Sequence, residues 1–593
     1  MRGPPVVLTN TLGRPVTNVI SERGAVPMVV VNTLGEPVTL VARGGEPVTL
    51  FNPNGTLWDY PFSLFANNEQ GAWYDPSDFS TLYQNSTGTT PVTAVEQPVG
   101  LMLDRSRGLV LGSNIAPAAS ALTTSSIDNA GGASSTFSAG VFSITVGSSS
   151  SSYPRARISV PGLTVGKTYQ VRGTSAITGT IAGVLIRLAT GGSANNVATA
   201  ATTSFDGIAV CAVTDVIEIS PTGTGATGTI TISSLTVEEI PGNHAFQATS
   251  ASRPVLRARY NQLTYSEQFD NAVWGKDFSG GGSSAPVVTA NYGVAPDGTT
   301  TADRIQFTRG ASGFSRAIQS QTVPAGTYTY SIWLRNTSGS SASVSLRLDA
   351  TNGAALSLTE TWQRVSLTIS YAGGALSAQL IIWDTISGSP LTADILAWGA
   401  QLQTSADQTS TGGAYQRIAA ATDYDVSNPV WRPYLAFDGV DDFFNLASAI
   451  SITTDMTVVR GFGRSAAGIS SFGIGESSAT TQRDFTWAST NDITSGLGAS
   501  NALMQSGNTT TGYMVSVSRR NVSTEVIRLN GTQNGSRSAA AVSGSLNQLG
   551  RLGPSAYGIG PIYGLIVLDR ELTGSELTAT EQWMAGKTGA VLA

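Results

Sequence analysis

Three stretches between residues 328 and 369 alternate apolar and polar side chains with a period of two. In TYTYSIWLR, Tyr328, Tyr330, Ile332 and Leu334 fall on one face, and Thr329, Ser331, Trp333 and Arg335 on the other. SVSLRL sets Val344, Leu346 and Leu348 against Ser343, Ser345 and Arg347. WQRVSLTI sets Val365, Leu367 and Ile369 against Trp362, Arg364, Ser366 and Thr368. A period of two belongs to a strand with one face buried and the other wet. Such strands pair antiparallel and pack as face-to-face sheets. Composition extends this reading to the whole chain. The 593 residues include 70 Ser, 70 Thr and 66 Gly, while charged residues make up 12%, about half the usual share of ~25%. Such a chain builds strands, turns and hydroxyl-covered surfaces rather than salt-bridged helices. The expected fold is all-β: a multi-domain rod of antiparallel β-sandwiches behind an N-terminal β-repeat.

The repeat occupies residues 1–55. NTLGRPVT at 10–17, RGAVPM at 23–28, NTLGEPVT at 32–39 and GGEPVT at 44–49 place Gly13, Gly24, Gly35 and Gly45 at turns. Short β-branched runs separate them, which reads as strand–turn–strand at a regular period. A ribbon of four short strands buries too little to stand alone, so it is expected to pair with copies of itself or lie on another protein; the alternative is an ordinary meander at a domain's edge. Residues 56–126 read as a connector, 127–241 as one β-domain and 242–260 as a linker. Residues 261–404 read as a second β-domain and 405–429 as a Ser/Thr/Gly linker. The last domain spans 430–593. In it, YLAFDGVDDFFNL reads as a strand, an Asp-Gly turn and a strand. GPIYGLIVLD, apolar on both faces, reads as a central strand. Thr573 and Glu576 are spaced as a capping box for a short C-terminal helix.

The single His244 and single Cys211 exclude an intrachain disulfide and any zinc site with several His or Cys ligands. His244 falls in the 242–260 linker and reads as an ordinary polar residue; Cys211 reads as a small buried hydrophobe. A net charge of -6 argues against a broad nucleic-acid surface. No apolar run reaches the ~18 residues of a membrane-spanning helix, and MRGPPVVLTN lacks the apolar stretch of a secretory signal. No membrane insertion is expected.

Several segments resemble modules of tailed-bacteriophage virion proteins. FANNEQGAWYDPSD with GTTPVTAVEQPVGLMLDRSRGLVLG resembles a connector of such proteins. LTYSEQFDNAVW, APDGTTTADRI, TWQRVSLT and LAWGAQL resemble a carbohydrate-binding-module-like jelly roll. PGLTVGKTYQV with SSLTVEEIPGNHAFQATSASRPVLRARY resembles a related jelly roll. YLAFDGVDDFFNL with GPIYGLIVLDRELTGSELTATEQ resembles the opening and closing strands of a concanavalin-A-like (laminin-G-like) sandwich. The resemblance implies a tail fibre or spike on the virion surface that binds host-surface carbohydrate during adsorption. It implies a homo-oligomer, by analogy a trimer, held to other virion proteins through residues 1–115. A capsid decoration or head-fibre protein is the alternative. A polysaccharide depolymerase is the second alternative, but no segment is left over for a catalytic domain, so no enzyme is expected.

Sugars are held by aromatic faces beside amides, carboxylates and Arg. Alternation puts Trp333 and Trp362 on polar faces, next to Arg335 and Arg364. A Trp there wants a partner, either a sugar or a neighbouring loop, domain or subunit. Trp398 and Trp383 read as core. Arg483, Trp487 and Asn491 are a second carbohydrate candidate, in the last domain. Asp438, Asp441 and Asp442 cluster at one turn. They are either Ca²⁺ ligands, as lectin-like sandwiches often carry, or turn-forming and capping residues. No other cofactor is expected.

Overall fold

The structure is a computed structural model. It describes residues 30–31, 37–38, 61–129, 134–146, 154–189, 196–198, 204–222, 226–323, 325–337, 342–464, 471–477, 483–486, 493–495, 497, 504–505, 512–539, 541–542 and 544–593. The chain is all-β, with antiparallel sheets stacked as sandwiches. Of the N-terminal repeat, Val30–Val31 and Pro37–Val38 pair antiparallel; its other residues lie outside the described ones. No helix among the described residues is long and apolar enough to cross a membrane.

The first sandwich faces two five-stranded sheets across a core that includes Phe142, Ile158, Tyr169, Val171, Ile217 and Val237. Cys211 is buried in this core. The second sandwich faces the sheet of Gly275–Ser279, Phe314–Val323, Gly374–Trp383 and Ala342–Leu348 with that of Ser284–Gly293, Ala302–Thr308, Thr392–Thr404, Gly326–Asn336 and Gln363–Tyr371. Tyr328, Tyr330, Ile332, Leu334, Val344, Leu346 and Leu348 fill its core, and Val365, Leu367 and Ile369 pack against it, as alternation requires.

The third sandwich is not continuous in sequence. Its central strand, Ile559–Leu568, takes Met456–Arg464 on one edge. Along its other edge lie Tyr434–Asp438 and then Gly71–Tyr74, nearly five hundred residues away in sequence. In the facing sheet, Leu82–Tyr83 pairs with Leu101–Met102, which pairs with Ala245–Phe246, which pairs with Phe444–Ser451. Val255–Arg257 extends the first sheet beside Tyr434–Asp438. One core therefore joins Ala72, Tyr74, Leu82, Val99 and Met102 to Ala245, Leu256, Leu435, Val458 and Leu565. The segments expected to be a connector (56–126) and a linker (242–260) supply strands of this sandwich instead, with Leu101–Met102 and Ala245–Phe246 inside its facing sheet. The first two sandwiches leave from and return to the third, so the modules are not strung end to end along links. Short strands of two or three residues carry too little pattern to be read as strands, which is why the sequence shows them as links.

Three further expectations are corrected. YLAFDGVDDFFNL does form two strands around Asp438-Gly439, but Tyr434–Asp438 and Phe444–Ser451 belong to different sheets. The turn is a corner between layers, not a hairpin. Within the expected linker 405–429, Ser405–Thr411 is helix α1, and its capping box joins Thr404 and Asp407. The C-terminal helix α2, Gly574–Thr588, begins after Thr573, but no capping box forms. The Glu576 carboxylate is instead taken by the Arg570 guanidinium at 2.7 and 3.0 Å.

The three chain passes are tied by a buried polar knot. The Asp104 carboxylate accepts N–H bonds from Trp73 at 2.7 Å, Asn243 at 2.7 Å and Ser106 at 2.8 Å, and a hydroxyl bond from Ser106 at 2.8 Å. The Tyr74 hydroxyl donates to the Asn243 carbonyl. The Asn243 side chain exchanges two bonds with the Ser448 backbone. His244, expected in a solvated link, is 0% exposed. Its Nδ1 accepts the Asp104 N–H at 2.8 Å, so the ring proton sits on Nε2 and donates to the Ile240 carbonyl at 3.1 Å.

Burial pushes the His244 imidazole down to about 4, from ~6.5 in an unfolded chain. Between those values the unfolded state binds the extra proton. This residue's contribution to stability is therefore complete above pH ~6.5 and is lost as pH falls toward 4, by about 3 kcal/mol. As the only histidine, it gives one ring signal in ¹³C-histidine-labelled protein. That signal is expected to hold the Nε2–H tautomer position from pH 8 to 5; a titration midpoint near 6.5 contradicts the knot.

Candidate functional site

The second sandwich brings Trp333, Arg335, Trp362 and Arg364 together on the outer face of one sheet. Trp333 stands opposite Trp398 on one neighbouring strand and Arg364 on the other. Trp333, Trp362 and Tyr415 are half-buried and pack against buried Trp398, Ala295 and Ala302. Trp398 belongs to this outer cluster, not to the main core, because a β-bulge falls between Trp398 and Leu402. Gly399 occupies it at φ 67°, a left-handed conformation in which glycine is unstrained. The extra residue reverses the side-chain alternation, so Leu402 faces in and Trp398 faces out.

Neighbouring segments cover much of this aromatic face. The Trp362 indole N–H donates to the Val294 carbonyl at 3.1 Å. The Arg335 guanidinium stacks over the Trp362 ring at 5.3 Å. Arg364 donates to the Gly413 carbonyl at 2.6 Å and the Ser331 hydroxyl at 3.3 Å. Much of the partner these tryptophans want is thus supplied by the loop around 294 and the segment around 413.

The opening lies at the polar edge of the same cluster. A cavity of about 270 Å³ is lined by Glu267, Gln268, Asp270, Ala290, Asn291, Thr301 and Asp303. The Trp398 indole N–H donates to Thr301 Oγ1 at 2.9 Å, and the Tyr415 hydroxyl donates to Glu267 Oε1 at 3.0 Å. The aromatic cluster therefore holds two lining residues in place. Asp303 is buried, and its two oxygens accept the Phe269 N–H at 2.7 Å and the Asn291 N–H at 2.9 Å. Burial, with a smaller push from Asp270, moves its carboxyl up to about 6 despite those donors. Burial likewise raises Glu267 above the usual carboxylate range. Sequence reasoning missed Glu267 and Asp303 as site residues. They lie 36 positions apart, and only the packing of the 264–270 loop onto strand Ala302–Thr308 brings them together.

The opposite outer face carries Trp383, which was expected in the core. Leu376, Ala378, Leu380 and Ile382 point inward, so Trp383 points out, half-buried. Arg347 stacks over it at 4.6 Å and Phe314 meets its edge at 6.0 Å.

Asp438, Asp441 and Asp442 do converge, with a carboxylate oxygen of each within 4.8 Å of the others. Asp438 Oδ1 accepts the Val440 N–H at 2.8 Å, Asp442 Oδ2 accepts the Asp438 N–H at 3.0 Å, and Asp441 Oδ2 accepts the Ser252 hydroxyl at 2.8 Å. Burial, with repulsion from Asp438 and Asp441, pushes Asp442 up to about 6. Each residue thus has a turn-forming or pinning role, and together they offer one carboxylate oxygen apiece toward the six to eight that a hard cation such as Ca²⁺ takes. Trp487 and Asn491 lie outside the described residues, as does the side chain of Arg483.

No protein-family profile matches this chain, and no curated protein matches it. Among solved structures, it is similar to the enzymatically active domain of tailspike protein 4 of bacteriophage CBA120, at 15% identity and a TM-score of 0.19, over 25% of this chain and 22% of that one. It is similar to the tandem CBM22-1–CBM22-2 domain of Paenibacillus barcinonensis Xyn10C at 11% identity and a TM-score of 0.23, over 50% of this chain and 97% of that one. The CBM22-1 xylan-binding domain of the same protein matches at 16% identity and a TM-score of 0.18, over 24% of this chain and 94% of that one. This chain spans about a fifth of the tailspike domain. TM-scores this low leave the site to be argued from its own geometry.

Proposed function

We propose that this protein is a carbohydrate-binding adhesin of a phage virion, and that the cavity of the second sandwich receives the sugar. The cavity is the observation that carries the reading. Its size suits one sugar ring, a little under the ~300–1,000 Å³ of pockets for drug-sized ligands. Its lining offers carboxylate acceptors and amide groups for hydroxyls, and Trp398 and Tyr415 hold two of the lining residues, Thr301 and Glu267, in place. Among the described residues, metal-ligand convergence of acids occurs at Asp438, Asp441 and Asp442 and not in this cavity. Spread acceptors of this kind match the hydroxyls of a sugar better than a single ion.

Binding without cleavage is the form we favour. Glycoside hydrolysis needs one carboxyl to protonate the leaving group and another to act as nucleophile or base. Of the three carboxyls that line the cavity, Asp303 has both oxygens engaged by backbone N–H groups and Glu267 accepts the Tyr415 hydroxyl, which leaves Asp270 alone. The virion setting rests on the segments that resemble phage modules. Residues 61–111 are spent inside the third sandwich, so on this reading attachment to the particle falls to residues before 61. Weak single contacts then gain strength from several copies on one particle.

The test is retention of the full-length protein on a panel of immobilised bacterial surface polysaccharides. Retention on at least one, with no reducing ends released on prolonged incubation, is the expected result. Release of reducing ends moves the reading to a depolymerase, and no retention on any overturns it.

A further inference from the structure

The second sandwich ends on an open edge. Gln363–Tyr371 is the last strand of its sheet, and its whole length keeps register with Gly326–Asn336 without a break. Among the described residues no strand pairs with its other edge, and no loop backbone bonds to it. In an antiparallel ladder alternate residues turn their N–H and C=O groups to opposite sides, so about half of this strand's backbone groups face outward. Its inward side chains are incompletely covered. Val365, Leu367, Ile369 and Tyr371 pack on the core but stay half-buried, while Arg364, Ser366, Thr368 and Ser370 are exposed.

Such an edge is a template for another strand, and folded chains blunt it with charge, proline, bulges or cover. Other long edges of this chain are blunted in those ways. Ser284–Gly293 carries Pro286 and breaks in register. Thr532–Ser538 also breaks register with its neighbour. Ser204–Val210 is covered, its Ile208 N–H donating to the Thr87 carbonyl at 2.5 Å. Gln363–Tyr371 has no proline and no break, and its one charge, Arg364, lies at its start.

What fits this edge is its own copy. A half turn about the sheet normal reverses strand direction but keeps inner and outer faces, so two copies meet antiparallel with their cores aligned. Centred on Leu367, the whole strand pairs: Val365 meets Ile369, Leu367 meets Leu367, and Ser366 meets Thr368. Apolar then faces apolar and hydroxyl faces hydroxyl, the kind of cross-strand pair that stabilises a sheet. Charge agrees. Arg364 falls opposite Ser370, so the two guanidiniums stand ~20 Å apart along the ladder, at ~3.4 Å per residue. A parallel ladder would set them side by side and turn one core outward.

We propose that Gln363–Tyr371 joins two copies of this chain edge to edge, so that their two five-stranded sheets become one continuous sheet. Ala290, Asn291 and Asp303 of the cavity lie on the two strands farthest from this edge. The pair therefore leaves both cavities open, and the contact stands whether or not the cavity takes a sugar.

The test is sedimentation velocity on full-length protein over a range of concentrations, with amide hydrogen exchange alongside. Wild type is expected as a dimer, and exchange over residues 363–371 is expected to slow as its concentration rises. The double variant Ser366→Lys/Thr368→Lys sets like charges directly opposite at both pairs beside Leu367, and is expected to weaken the dimer at least tenfold. Ser366→Lys/Thr368→Glu sets opposite charges at the same two pairs, and is expected to dimerise at least as tightly as wild type. Both positions are exposed, so circular dichroism is expected to show both variants folded. A monomeric wild type overturns the proposal, as does exchange over 363–371 that does not change with concentration. An oligomer that the first variant leaves intact also overturns it, the trimer implied by the resemblance to phage modules included, and so does equal weakening by both variants.

Discussion

A fragment of residues 430–593, expressed alone, is expected not to fold. It holds the central strand Ile559–Leu568 and most of both sheets of the third sandwich, and by sequence it looks like a complete terminal domain. It lacks Tyr74, Leu82, Val92, Val99, Met102 and Leu256, all buried in the shared core. At ~1.5–3 kcal/mol for each large side chain buried, their loss removes on the order of 10 kcal/mol. That is comparable to the whole stability of a domain, ~5–15 kcal/mol. The loss also bares half of one edge of Ile559–Leu568, a flat apolar template for aggregation. Circular dichroism and size exclusion are expected to show an unfolded or aggregated chain. Co-expression with residues 61–260 is expected to restore a soluble complex. A cooperative melt of 430–593 by itself contradicts the interleaved sandwich.

Asp104→Ala is the single substitution expected to cost most. It leaves the N–H groups of Trp73, Ser106 and Asn243, and the Ser106 hydroxyl, without their acceptor in a closed interior. Each orphaned buried donor costs ~1–3 kcal/mol. Relief of the buried charge, which burial already pushes toward its protonated form, offsets part of this. A net loss of about 4 kcal/mol is expected, which in a unit of this size lowers the third sandwich's transition by roughly 8–16 °C. Asp104→Asn keeps one acceptor oxygen and is expected to lose about half as much. A shift below ~2 °C for the alanine variant in calorimetry contradicts the role of the knot.

The sequence was legible wherever a strand was long enough to show its period. Alternation alone oriented Tyr328 to Leu334, Val344 to Leu348 and Val365 to Ile369, and the unbroken apolar run at 560–569 placed the central strand of the third sandwich. The same parity places Trp383 outward, since Ile382 faces in. Trp398 was misplaced because a bulge at Gly399 reverses the alternation, and nothing local in LAWGAQL marks it. What could not be read was long-range pairing of very short strands. Leu82–Tyr83, Leu101–Met102 and Ala245–Phe246 have two residues each, too few for a pattern, so a core element looked like two links. The arginine and tryptophan candidates at 333–364 were found by parity. The cavity beside them was not, because Glu267 and Asp303 meet only through the folded topology.

The central claim is that the second sandwich holds sugar in the cavity of Glu267, Gln268, Asn291 and Asp303. The most direct measurement compares wild type with Glu267→Gln on the polysaccharide that retains the full-length protein. The substitution keeps size and an acceptor for the Tyr415 hydroxyl but removes the charge that strengthens a bond to a sugar hydroxyl. The account predicts retention at least tenfold weaker, with an unchanged melting profile. Retention equal to that of wild type contradicts it.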